Sequence, residues 1–198
     1  MRKYFLLRRL LPVATLFFSC SLATHAQKAS PSFCNEFKKI CDLADQNKIF
    51  DIKSTSYKSK FLFGSGFQFR SLRNIPGNKE SLLWENSGYK EGSSTATYIY
   101  VAVLAVSKGN AKQDSISMDS VYLSTLKKVQ NCFAFLKWEV DKNDPGLEMS
   151  FVGWNCRSTV FQHHNTEIEV EYYKDEKTGR YICFIDIGYE VPHEEYMH

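Results

Sequence analysis

The sequence predicts an α+β fold, a mainly antiparallel sheet of about five to seven strands packed with two helices. Three observations carry that expectation. A capped apolar stripe starts at Ser30-Pro31, residues 97–106 are apolar on both faces, and residues 166–187 alternate strictly around a short polar connection.

The first helix begins at Ser30, whose hydroxyl suits an N-cap, followed by Pro31, which suits the first turn. Phe33, Phe37, Ile40, Cys41 and Ala44 then recur at spacings of three and four, opposite Asn35, Glu36, Lys39 and Asp42. Residues 50–72 turn to strand character, and Phe61, Phe63, Phe67 and Phe69 fall on alternate positions that would share one face. Gly64 and Gly66 between them lack the third glycine and following helix of a nucleotide loop. They read instead as relief of crowding or as a bulge.

Residues 73–93 read mostly as connection, with a turn at Ile75-Pro76-Gly77-Asn78 and a short strand at 81–85. The apolar run 97–106 should then form the middle of the sheet, covered on both sides. A second helix is expected from a cap at Ser117 or Asp119 to about Trp138. Its apolar face carries Met118, Tyr122, Leu126, Val129, Phe133 and Leu136.

After a turn at 143–146, strands are expected at 148–153 and 158–163. The C-terminal hairpin pairs 166–172 with 181–187. Setting Lys174 opposite Gly179 brings Tyr172 to Tyr181, Val170 to Cys183 and Ile168 to Ile185 on one face, and turns Glu167, Glu169 and Glu171 to the other, beside Asp186.

Residues 1–26 have the pattern of a secretory signal peptide: Arg2, Lys3, Arg8 and Arg9, then an apolar run ending in Thr24-His25-Ala26. Cleavage after Ala26 is preferred over lipidation at Cys20, because no aliphatic residue stands three places before that cysteine. The apolar run is too short to anchor the chain as a transmembrane helix, so 27–198 is read as one exported domain, periplasmic or secreted. Removing the signal leaves 21 basic and 22 acidic residues, which takes the formal charge from +3 to −1. A near-neutral chain lacks the basic footprint of a nucleic-acid binder.

Five cysteines remain: Cys34, Cys41, Cys132, Cys156 and Cys183. Disulfides are permitted in an oxidising compartment, and an odd count leaves at least one thiol free or paired between molecules. Cys34 and Cys41 lie about 10 Å apart along one helix and cannot pair. Cys132 to Cys156 is the expected bridge, because the chain turns back between them.

Candidate chemistry is sparse. Glu167, Glu169 and Glu171 form an acidic row suited to a basic partner, or else a solvated strand face that discourages edge-to-edge pairing. Trp84 and Tyr89, if exposed in the 73–93 connection, offer aromatic contact surface. His163 and His164, adjacent on an extended strand, should point to opposite faces and cannot grip one ion. Cys156 with either histidine is the one sequence-near nucleophile and base combination, and it carries no family signature.

The expectation is therefore an exported, non-enzymatic binding domain of the cell envelope with a protein or small-molecule partner, no cofactor and no metal. A small secreted hydrolase using Cys156, His163 or His164, and an envelope assembly factor that pairs through a strand edge, are the alternatives.

Overall fold

The computed structural model describes residues 30–62, 66–90, 93–109, 111–139 and 156–192. The proposed signal segment, the strand expected at 148–153, Phe63, Gly64, Trp154, His193 and His198 lie outside the described residues.

Helix α1 spans Pro31–Asp45 and starts where the sequence places it, with the Phe33 N–H donating to the Ser30 hydroxyl at 3.3 Å. Its stripe of Phe33, Cys34, Phe37, Ile40, Cys41 and Ala44 is buried. A 3-10 turn over Ile49–Ile52 leads into β1 (Lys53–Ser56) and β2 (Phe67–Ser71). Strands β3 (Glu80–Lys90) and β4 (Ser93–Val106) are long, and helix α2 (Ala111–Leu136) follows. Strands β5 (Arg157–His163), β6 (Thr166–Lys174) and β7 (Tyr181–Pro192) follow.

The seven strands among the described residues form one antiparallel sheet in the order β1-β2-β3-β4-β7-β6-β5, with the apolar strand β4 at its centre. Both helices lie on one face, here the inner face. Tyr98, Tyr100 and Ala102 of β4 and Cys183, Ile185 and Ile187 of β7 pack there with Phe37, Ile40, Tyr122 and Val129 of the helices. On the outer face, Leu62 packs on Leu82, Val101, Val103, Ile182 and Phe184. That second cluster is why β4 is apolar on both sides: each of its faces meets a layer of its own.

Several expectations are corrected by this arrangement. The disulfide joins Cys34 to Cys132, not Cys132 to Cys156, and Cys41, Cys156 and Cys183 are free. Cys132 faces α1 across the inner layer. Cys156 shares its strand parity with Ser158, whose hydroxyl bonds Glu169 on the outer face, so the sheet stands between the two. In the chain-entropy picture, a cross-link over a separation of 98 residues stabilises by roughly 4–5 kcal/mol.

The stretch 73–93 is not mostly connection, since β3 begins at Glu80 and runs the full length of its pairing with β4. Helix α2 starts at Ala111, before either expected cap. Of the phenylalanines at 61, 67 and 69, Phe67 and Phe69 do share the inner side of β2, with Phe67 71% exposed and Phe69 packed beside Phe50, whereas Phe61 precedes β2 and packs against the outer cluster.

The hairpin keeps its expected faces with its register moved by two. Lys174 pairs with Tyr181, Tyr172 with Cys183, Val170 with Ile185 and Ile168 with Ile187. The cause is a wider turn, in which the Asp175 carboxylate accepts from the Thr178 N–H and hydroxyl while the Asp175 N–H donates to the Arg180 carbonyl. A shift of two residues changes partners without exchanging faces.

Candidate functional site

The acidic row lies on the outer face of β6 and β7. Alternation along β6 buries Ile168 and Val170 beneath the helices and turns Glu167, Glu169 and Glu171 the other way. The shifted register sets Glu169 directly opposite Asp186, with Glu171 opposite Phe184 and Glu167 opposite Gly188. Ser158 of β5 completes the row by donating its hydroxyl to Glu169.

The electrostatics of this patch are unfavourable when all four carboxylates are ionised. Burial, then repulsion by Glu169, raises the Glu171 carboxyl to about 7. Burial pushes Asp186 well above the usual carboxylate range, and Glu169, Glu171 and Glu167 add to the shift. Asp186 as a whole keeps some exposure, yet its Oδ1 is closed off from solvent and has no hydrogen-bond donor among the described residues. An acceptor left in that condition costs about 1–3 kcal/mol, more for a charged group.

Cys156 borders the same patch. Burial, then Glu171 and Glu169, raises its thiol above the ordinary value, which lowers the thiolate fraction that nucleophilic attack requires.

The structure does not bring Cys156 together with the histidines. His163 stands seven residues along β5, about 23 Å away, on the opposite face. His163 and His164 also fail to point apart, because His164 takes a left-handed turn conformation at φ 51° and its ring stacks on His163 at 4.2 Å between centroids. His163 stacks in turn on Trp138 at 4.0 Å. Burial, then the neighbouring His164, lowers the His163 pKa and keeps that ring neutral near pH 7.

Asp45, the last residue of α1, accepts from the Asn165 N–H and contacts His164 Nδ1 at 3.2 Å. Partial burial works against ionisation, but those two contacts hold its carboxyl below the usual range. This group clips the β5–β6 turn to the C-terminal ends of both helices.

Trp84 lies half-buried on β3 and packs against the outer apolar cluster, so it is not a loop anchor. Tyr89 belongs to β3 by its backbone, and its side chain lies outside the described residues.

Sequence reasoning missed Ser158 as a member of the acidic face. The parity of β5 relative to Glu169 was the available signal. Among the described residues no three His, Cys, Asp or Glu side chains are grouped so as to hold a metal ion, and no helix is long and apolar enough to cross a membrane. Comparison with protein-family models, with curated proteins and with solved structures found no match.

Proposed function

We propose that this chain is an exported, non-enzymatic binding domain that takes a cationic partner, an amine or guanidinium group, on the outer face of β6 and β7. One observation carries the reading: Asp186 stands directly opposite Glu169, between Glu167 and Glu171, so that four carboxylates repel one another on one face. A cation seated on the exposed side of that pair offsets the repulsion among the four carboxylates.

Protection of a sheet edge does not account for the row, because β6 has neighbours on both sides. The N-terminal segment supports export, and the Cys34–Cys132 disulfide suits an oxidising compartment.

The test is calorimetric titration of the purified protein with a tetralysine peptide at pH 8 and at pH 5.5. Binding should weaken at the lower pH, where Glu171 is protonated, and should be lost in Glu169→Lys. Equal affinity in the wild type and Glu169→Lys would overturn the reading.

A further inference from the structure

A concavity lies at the other end of the outer face, where residues 57–62 arch over the start of β3. It has a volume of about 400 Å³ and is lined by Tyr57, Lys60, Phe61, Arg70, Asn74 and Lys79, together with Glu80 and two serines. Its volume falls in the range of small-ligand sites. Its charge is opposite to that of the β6–β7 face.

Glu80 is the carboxylate among these lining residues, and its two oxygens are engaged. Tyr57 donates to Oε1 and Ser59 to Oε2. Those bonds tie the arch to β3, and the Ser59 hydroxyl also accepts from the Phe61 and Leu62 N–H groups at 3.0 and 2.9 Å. The wall of the cleft is therefore built by a closed hydrogen-bond set, and Leu62 at its end is buried in the outer apolar cluster.

The cations are in a different condition. The Arg70 guanidinium lies over the Tyr57 ring, 4.3 Å from its centroid, which holds it in place without neutralising it. Among the described residues no carboxylate forms an ion pair with Arg70, Lys60 or Lys79. A solvated basic surface needs neither a fixed guanidinium nor a concavity. Here three cations and the Asn74 amide converge beside the rings of Tyr57 and Phe61.

We propose that this cleft binds a small organic oxyanion, a carboxylate or phosphate carried next to a flat apolar group. Arg70 takes the oxyanion through its fork of N–H donors. Lys60 and Lys79 add charge, Asn74 supplies a neutral donor, and Phe61 covers the apolar part of the ligand. Recognition here involves no bond making or breaking. The site is independent of the cationic partner proposed for the acidic face.

Backbone amide NMR on the purified protein tests the proposal, with inorganic phosphate, phenyl phosphate and benzoate titrated at constant ionic strength. The expected result is saturable shifts centred on Tyr57, Arg70, Asn74 and Lys79, with one aryl ligand at least about ten-fold tighter than inorganic phosphate. The preferred aryl ligand identifies the oxyanion. Arg70→Gln should weaken binding about ten-fold or more and Lys79→Gln several-fold, while Glu169→Gln should leave it unchanged.

Arg70 and Lys79 are exposed, so both variants should retain the wild-type amide spectrum, and either one suffices for the test. Shifts scattered over surface lysines, no saturation with any of the three probes, or unchanged affinity in a folded Arg70→Gln or Lys79→Gln variant would overturn the proposal.

Discussion

The outer face of the sheet is two surfaces joined along β7. Ile182 and Phe184 belong to an apolar cluster that Leu62 covers, whereas Asp186, two residues further along the same face, belongs to the carboxylate row. The strand does not change its geometry between these points; what changes is the layer above it. Where residues 57–62 fold back, the face is hydrophobic and its polar wall is hydrogen-bonded. Over β6 the carboxylates crowd one another. Strand parity decides which side chains share a face, and the covering layer decides whether that face adds to stability or detracts from it.

The largest expected effect comes from opening the covered half. Leu62→Ala removes the side chain that seals Leu82, Val101 and Val103 and should cost about 2–4 kcal/mol. Urea unfolding with an unchanged m-value checks this, and the same experiment should show no change in tetralysine binding. Loss of both would mean that the two halves are not separate surfaces.

A change of opposite sign is expected on the carboxylate half. The Glu171 carboxyl is raised from 4.5 to about 7, so the folded state binds more protons than the unfolded chain between those values. The stability associated with Glu171 is therefore fully present below about pH 4.5 and is lost as pH rises through 7. Glu171→Gln removes that loss and should stabilise the protein at pH 8 by up to about 3 kcal/mol, with little effect at pH 4. Thermal melts of both proteins across that range test it; parallel pH curves would show that Glu171 is not held in its uncharged form.

The smallest effect should be Tyr57→Phe, which keeps the ring under Arg70 and deletes one donor to Glu80. We expect a loss of about 1 kcal/mol, with oxyanion binding reduced by less than in Arg70→Gln. A larger loss of binding than in Arg70→Gln would assign the recognition role to the hydroxyl instead of the guanidinium.

Much of the frame was legible in the sequence because it rests on local signals. Ser30-Pro31 with its periodic stripe marks α1, the doubly apolar run marks β4 as central, and the Glu-Ile-Glu-Val-Glu alternation settles which face of β6 carries charge. Signals failed where a partner overrides local propensity. Asn86-Ser87-Gly88 reads as connection, yet it forms strand because β4 offers a full-length neighbour. The hairpin register depended on how Asp175 closes its turn, which alternation alone does not encode.

The candidate sites divide in the same way. The acidic row was readable as three residues on one strand, although its most strained member, Asp186, faces Glu169 only in the observed register. The oxyanion cleft was not readable at all, since Tyr57, Arg70 and Lys79 come from separate segments and meet only through the sheet. The disulfide belongs to this class as well, because Cys34 and Cys132 are brought together by helix docking over a separation of 98 residues.

The position of β4 beside β7 governs the order in which the molecule can be completed. A chain made from its N-terminus gives β4 one neighbour, β3, while the partner for its other edge is the last strand to appear. Until then its hydrogen-bonding groups on that side stay open, and the inner surfaces of α1 and α2 lack Cys183, Ile185 and Ile187. The N-terminal half is thus a template awaiting closure, vulnerable to any other strand that reaches it first. Truncation ahead of Tyr181 should leave an aggregating chain, not a smaller folded domain.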